Sequence, residues 1–230
     1  MTPTKQTQNT IIFKGVKFMK ILLIGDSIRQ GYDKYVEAAF EGVAKVYYPH
    51  ENCRFTAYIL RQILDWKEKL ECGDDVDLVH WNAGIWDTLV LSDGKHHTPL
   101  DIYKENVSRI CDIIKILFPK AKMMFATSTP CNEEFFKTYK YKRTNSDTEC
   151  YNKAAAEIVL KNGGSINDLY GLLKDEHMKH HSDQTHFYTK SGTKIITEKV
   201  VNCIENELGI KGKNLDFDTL FAQKDDAIGL

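Results

Sequence analysis

The sequence predicts an α/β protein with three α/β/α layers around a parallel sheet of five strands. Short apolar runs alternate with longer amphipathic segments along the chain, and glycine or proline ends several of them. Strands joined through helices return in the same direction, so this alternation favours a parallel sheet with helices on both faces. The chain has 230 residues, 42% of them hydrophobic, which is enough to enclose one large core.

The predicted strands are short apolar runs that stop at turn-forming residues. The first, KILLIG, is apolar up to Gly25, and Pro49 ends the second. The third ends at Gly84. Continuous apolar runs are typical of parallel strands that are buried on both faces. The strands are predicted at 20–25, 44–49, 76–84, 121–130 and 165–170.

Segments with apolar residues at a helical spacing separate these strands. In the first segment Val36, Ala39 and Phe40 share one face. Thr56 is a candidate N-cap for the second segment, and Pro119 ends the third. The helices are predicted at 33–43, 55–70, 99–118, 147–163 and 189–208.

The chain is expected to contain a single domain at 19–210, since no linker rich in proline, glycine or serine divides it. Residues 1–18 are interpreted as an N-terminal extension, because a strand begins at Met19. Residues 211–230 form a C-terminal tail with a weaker pattern. This tail either docks a short apolar segment or is mobile, and the apolar residues concerned are Leu215, Phe217, Leu220 and Phe221.

Composition argues against several classes of partner. The formal net charge is −1 and no basic stripe is present, so we expect no nucleic-acid partner. The run YKYKR at 139–143 precedes acidic residues and is interpreted as a solvated loop. The polar N-terminus does not resemble a secretory signal, no apolar run is long enough to span a membrane, and the six cysteines are scattered. We therefore expect a cytoplasmic protein with no membrane partner; the sequence does not indicate its oligomeric state.

Polar residues follow several predicted strands, and one of them has the makings of a nucleophile. The carboxyl ends of parallel strands meet at one edge of a sheet, so Ser27 and the segments 52–56, 82–87 and 127–129 should lie near each other. Ser27 could simply cap the following helix. A nucleophilic serine instead needs a histidine base and an orienting carboxylate. Asp183 and His186, three residues apart before the last helix, have this chemistry.

Two sequence blocks carry a resemblance to a known family. IGDSI at 24–28 resembles the first block of the SGNH (GDSL-type) hydrolases, and DQTH at 183–186 resembles their last block. The resemblance runs from about 19 to about 208. It implies a flavodoxin-like fold and ester hydrolysis with neither metal nor cofactor. By position it makes Ser27 the nucleophile, His186 the base and Asp183 the acid that orients it.

The middle blocks depart from the family pattern. Arg54 stands where the family has an oxyanion-binding glycine, and Trp86 stands where it has an oxyanion-binding asparagine. The expected oxyanion donors are therefore the backbone N–H groups of Ser27 and Arg54 and the side-chain amide of Asn82. Asp26 and Trp86 are further candidates for the substrate pocket.

The function predicted from these features is hydrolysis of small acyl esters, with O-acetyl groups on carbohydrates as the expected substrates. The partner would be a small-molecule ester or an acetylated sugar. Two alternatives stay open because the oxyanion blocks are altered: a non-hydrolytic carbohydrate- or ester-binding protein on the same fold, and an acyltransferase. Metal ligation by His177, His180 and His181 is conceivable, but their polar segment favours a solvated loop.

Overall fold

A computed structural model of the chain describes residues 18–222, and its centre is a sheet of five strands. The strand order is β2-β1-β3-β4-β5, and every neighbouring pair is parallel. The α/β class and the flavodoxin-like sheet predicted from the sequence are thus confirmed. The strands are β1 (Met19–Ile24), β2 (Ala44–Tyr47), β3 (Leu78–Trp81), β4 (Lys122–Ala126) and β5 (Ser165–Asn167).

Helices cover both faces of this sheet and complete the three layers. Along β1, Leu22 and Ile24 face a core that contains residues of α2, α3 and α5, whereas Ile21 and Leu23 face a core with α1 and α7. This division follows from the alternation of side chains along a strand. The helices are α1 (Ser27–Phe40), α2 (Thr56–Lys69), α3 (Leu100–Leu117), α4 (Glu133–Phe136), α5 (Asn145–Lys161), α6 (Leu169–Leu173), α7 (Lys190–Leu208) and α8 (Phe217–Ala222).

Helix α1 begins at Ser27, before the start at 33 that the apolar spacing predicts. The apolar pattern misses this part because the fully buried Arg29 stands on the inner face of the helix. Its guanidinium pairs with Asp33 and donates to the carbonyl of Glu51 at 2.6 Å. A buried charge with these partners is compatible with a packed helix, although periodicity does not reveal it.

Thr56 does not cap α2 as predicted. Phe55 occupies the N-cap position and makes no side-chain cap, and Thr56 is the first helical residue. Its hydroxyl donates instead to Asp87 at 2.6 Å and accepts from the amide of Asn106 at 3.0 Å. This buried network joins α2 to α3 and to the loop after β3.

The described part of the C-terminal tail contacts α1. Phe217 is buried, and its ring stacks on Tyr35 with 4.9 Å between the centroids. The N–H of Lys213 donates to the carbonyl of Ala39 at 2.8 Å. Residues 1–17 and 223–230, which include nearly all of the predicted N-terminal extension and the end of the tail, lie outside the described residues. From 18 to 222, no helix has both the length and the apolar character that a membrane span requires.

A buried histidine in β3 predicts that stability falls in acid. Burial lowers the pKa of His80 to about 4, and Asn167 donates to its Nε2 at 3.1 Å. Unfolded histidine has a pKa of about 6.5, so the unfolded chain binds the proton more readily. The free energy of unfolding should therefore fall as the pH drops from about 6.5 towards 4, and His80 should contribute on the order of 2 kcal/mol by pH 4.5.

Urea unfolding of the wild type and His80→Gln at pH 7 and pH 4.5 measures this contribution. The variant should lose less free energy of unfolding between the two pH values than the wild type does. Equal losses in the two proteins would mean that the protonation of His80 does not affect the free energy of unfolding between pH 7 and pH 4.5. Other histidines are common to both proteins and cancel in the comparison.

Candidate active site

Ser27 is presented by a tight connection between β1 and α1. Asp26 caps the helix by accepting the N–H of Ile28 at 2.9 Å, which leaves Ser27 as the first helical residue. A side chain at Gly25 would lie 1.9 Å from Oδ1 of Asn82, so only glycine fits between the strand and the helix. The N–H of Ser27 belongs to the first turn of α1, where backbone donors have no partner within the helix.

A chain of hydrogen bonds links Ser27 to the two residues predicted to act with it. The hydroxyl Oγ of Ser27 lies 2.8 Å from Nε2 of His186, and Nδ1 of His186 lies 2.8 Å from Oδ2 of Asp183. A carboxylate at Nδ1 favours the tautomer with its proton on that nitrogen. Nε2 is then free to accept the proton of the serine hydroxyl. The structure brings together three residues that are up to 159 positions apart in the sequence.

The loop before α7 holds Asp183 rigidly. Its Oδ1 accepts the N–H groups of Thr185 and His186, each at 2.8 Å. Burial alone would raise the pKa of the Asp183 carboxyl, but these N–H groups and the imidazole together hold that pKa below its usual range. The carboxylate is therefore charged where it meets the imidazole.

Tyr188 supports both ends of the Ser27–His186 pair, and the sequence analysis missed it. Its ring stacks on the imidazole of His186 with 4.7 Å between the centroids, and its hydroxyl donates to the carbonyl of Ser27 at 2.6 Å. Its pKa is raised, chiefly by burial, so the hydroxyl keeps its proton. The only sequence signal is an aromatic residue two positions after the histidine.

The Ser27–His186 pair opens into a cleft of about 510 Å³. Of the two residues expected in the substrate pocket, Trp86 lines this cleft, whereas Asp26 has no exposed surface and does not. The segment between α4 and α5 forms an aromatic wall. The lining residues are Ser27, Gln30, Asn52, Ile85, Trp86, Leu89, Phe136, Tyr139, Tyr141, Arg143, Gln184, Thr185, His186 and Tyr188.

Comparison with known proteins places this geometry on a recognised fold. A lipase/acylhydrolase from Enterococcus faecalis superposes with a TM-score of 0.67 at 18% identity, over 86% of this chain and 100% of the other. An acetylxylan esterase from Geobacillus stearothermophilus gives 0.59 at 18% identity, over 84% and 95%. An acetyl xylan esterase gives 0.64 at 14% identity, over 81% and 100%. The chain has the fold of the SGNH hydrolases.

Sequence similarity to a curated relative covers only part of the chain. A GDSL esterase/lipase of rice (Oryza sativa subsp. japonica) is 25% identical over 118 residues. The match spans 47% of this chain and 45% of that relative, less than half of its length. No family model matches the sequence.

Two of the three predicted oxyanion donors do not reach the cleft. Arg54 has the left-handed φ of 55° that favours glycine, in keeping with its alignment to the SGNH glycine. However, its N–H donates to Oδ1 of Asn52 at 2.8 Å and its side chain is exposed over Tyr58. Asn82 is 3% exposed, lies beside the Asp26 carboxyl, and does not line the cleft. Both residues therefore support neighbouring groups.

Asp26 and Asp87 are buried acids that shape this edge of the sheet. The amide of Asn82 and the N–H of Ile28 lower the pKa of Asp26, but burial outweighs them and raises it. Asp87, which matches the aspartate of the third SGNH block, accepts the N–H of Thr56 at 3.2 Å as well as its hydroxyl. Burial raises its pKa too. Neither carboxyl faces the cleft.

The basic run at 139–143 suggested a solvated loop, but Arg143 within it is buried. It is 7% exposed and lines the cleft. Its guanidinium donates to the hydroxyl of Thr185 at 3.1 Å and to the carbonyl of Ile85, and lies 5.2 Å from the ring centroid of Phe136. Burial lowers its pKa to about 10, which still leaves it charged at neutral pH.

The histidines at 177, 180 and 181 adjoin the site without entering the cleft. Nδ1 of His177 lies 3.0 Å from Nε2 of His181, and Nδ1 of His181 lies 3.2 Å from the carbonyl of His186. His180 instead contacts the hydroxyl of Ser191 at 3.0 Å. In the part of the chain that the structure describes, no three histidine, cysteine, aspartate or glutamate side chains are grouped so as to hold a metal ion.

Proposed function

We propose that this protein is a serine ester hydrolase of the SGNH type. The observation that carries the proposal is the hydrogen-bonded series Asp183–His186–Ser27, which ends in a hydroxyl at the wall of an open cleft. The same three positions match the family's first and last blocks. The fold and the geometry of these three residues thus both support ester hydrolysis with Ser27 as the nucleophile.

The proposed reaction proceeds through an acyl-enzyme. Oγ of Ser27 attacks the ester carbonyl while Nε2 of His186 takes its proton. The tetrahedral intermediate collapses, and the alcohol leaves with the proton from His186. Water then attacks the acyl-serine while Nε2 of His186 takes its proton. The bond between the acyl carbon and Oγ breaks, the carboxylic acid leaves, and His186 returns the proton to Oγ of Ser27. Asp183 stabilises the imidazolium that forms in each half-reaction.

The oxyanion donors that best fit the cleft are the N–H of Ser27 and the side-chain amide of Asn52. Asn52 lines the cleft with Ser27 and His186. Its Oδ1 accepts the N–H of Arg54, which orients the side chain and leaves the amide N–H groups as free donors. In this proposal Asn52 replaces the asparagine that Trp86 displaces from the third block.

Asn52→Ala should lower kcat by roughly a hundredfold with little change in KM, because an oxyanion donor acts mainly in the transition state. Steady-state kinetics with a short-chain ester test this. Asn82→Ala is the matched comparison: it should lower the melting temperature and leave the kcat of the folded protein close to that of the wild type. If Asn82→Ala instead lowers kcat more than Asn52→Ala does, the donor is Asn82 as the sequence predicted.

We further propose that the substrates are O-acetyl groups on carbohydrates. Two of the similar structures are acetyl xylan esterases by name. The cleft combines aromatic side chains with a few polar groups, as is common for small-molecule sites. Phe136, Tyr139 and Tyr141 supply flat surfaces for the body of the substrate.

The cytoplasmic location expected from the sequence stays a prediction.

Hydrolysis and covalent labelling together test the proposed function. The full chain should turn over 4-nitrophenyl acetate, and a serine-reactive phosphonate should stop turnover and modify Ser27, as located by mass spectrometry. The altered oxyanion blocks favour a binding protein as the alternative, which would neither turn over the ester nor be labelled. Adding a sugar acceptor distinguishes an acyltransferase, because the acetyl group would then appear on the sugar.

A further inference from the structure

Arg143 is a buried cation for which the cleft provides no anion. Its hydrogen bonds go to a hydroxyl and a carbonyl, and its Nε–H has no partner. Among the described residues it forms no ion pair, and none of those that line the cleft carries a carboxylate. Burying an unpaired charge costs free energy, and buried charges in proteins are normally paired, so an anionic ligand would supply the partner that Arg143 lacks.

Asp26 is the acid whose charge reaches Arg143, but it does not complete the site. It has no exposed surface. Its carboxyl accepts the N–H of Ile28 and lies beside the side chain of Asn82. No hydrogen bond joins it to Arg143. A guanidinium has five N–H groups, and the bonds to Thr185 and Ile85 use one on each terminal nitrogen, so donors remain on this side chain that lines the cleft.

We propose that the cleft binds acetyl esters of acidic sugars, and that Arg143 binds the sugar carboxylate; this rests on the proposed function. A guanidinium matches a carboxylate with parallel N–H donors, and the bond gains strength where water is excluded. Arg143 is bonded to Thr185, the residue before His186, and it lines the same cleft as Ser27. In the proposed complex the carboxylate at Arg143 and the ester at Ser27 therefore belong to the same sugar. Phe136 and Tyr139 flank that sugar.

The competing explanation is a purely structural role. Arg143 connects the loop after β3, through Ile85, to the loop of His186, through Thr185. A structural arginine would affect neutral and acidic substrates alike. A carboxylate-binding arginine affects only the acidic one, so a pair of substrates that differ in this one group separates the two roles.

The substrates are the mono-O-acetylated methyl glycosides of glucuronic acid and glucose, which differ only by a carboxylate in place of a hydroxymethyl group. The wild type should favour the glucuronide in kcat/KM by roughly tenfold or more, the size of one charged hydrogen bond. Arg143→Gln should abolish this preference, and Arg143→Lys should retain part of it. Arg61→Gln removes an exposed arginine on α2, outside the cleft, and should leave the preference unchanged.

Binding is measured separately, so that a failure of the proposed hydrolysis remains distinguishable. Calorimetry on Ser27→Ala should give tighter binding of the intact glucuronide ester than of the glucoside ester, and the difference should disappear in Ser27→Ala/Arg143→Gln. Discrimination without turnover by the wild type would refute the hydrolase and support the acidic ligand. Turnover with equal kcat/KM for the two sugars would overturn the inference alone. Because that comparison uses the wild type, it does not depend on the folding of any variant.

Discussion

Ser27→Ala is expected to lower kcat for a short-chain ester by roughly a thousandfold or more, as removal of a nucleophilic serine does. The variant keeps the cap made by Asp26 and the contacts of α1, because only the hydroxyl that meets His186 is removed. Its melting temperature should therefore stay close to that of the wild type. Steady-state kinetics and thermal unfolding on the same preparation provide the two readouts.

Ser92→Ala serves as the control for this prediction, because Ser92 is exposed and does not line the cleft. It should retain full turnover. A folded Ser27→Ala protein that hydrolyses the ester at a near-normal rate would remove Ser27 from the mechanism, and water activated by His186 would then be the nucleophile to consider.

Asp183→Asn should lower kcat by roughly 10³- to 10⁴-fold while preserving the local structure. The amide oxygen can still accept the N–H groups of Thr185 and His186 that bind Oδ1. Its NH₂ group, however, would face Nδ1 of His186 as a donor. The imidazole would then carry its proton on Nε2, the nitrogen that must accept the proton of Ser27.

The comparison for this variant is Asp175→Asn, which neutralises an exposed acid just before the 3₁₀ helix His177–Lys179. It changes the net charge equally and should leave kcat unchanged. Equal kcat for Asp183→Asn and the wild type would show that Asp183 only ties the loop together, in which case Asp183→Ala should lower stability instead.

Much of the fold could be predicted from the sequence because the relevant signals are local. The run Ile21 to Ile24 is apolar on both faces and stops at Gly25, which is typical of a central parallel strand. The helices that the apolar pattern missed are α4, α6 and α8, of four to six residues each. They are too short to show a helical period.

Where the side chains and N–H groups of Arg54 and Asn82 lie could not be predicted, because their positions depend on loops. Arg54, which aligns with the family glycine, has a left-handed backbone, and the direction of its N–H follows from the side chain of Asn52. Asn82 directly follows β3 and looked close to the site. Its side chain instead packs beneath Gly25, which the sequence position does not reveal.

The sequence by itself determined the parallel α/β fold, because apolar runs and helical spacing are local patterns. It also identified Ser27, Asp183 and His186 as candidates, because each lies in a short motif of consecutive residues. Only the tertiary structure decided which groups surround them. Arg143, in a run of basic and aromatic residues, looked solvated, and its burial depends on contacts with Ile85 and Thr185. Burial and pairing of a side chain are properties of distant segments brought together, so no local pattern encodes them.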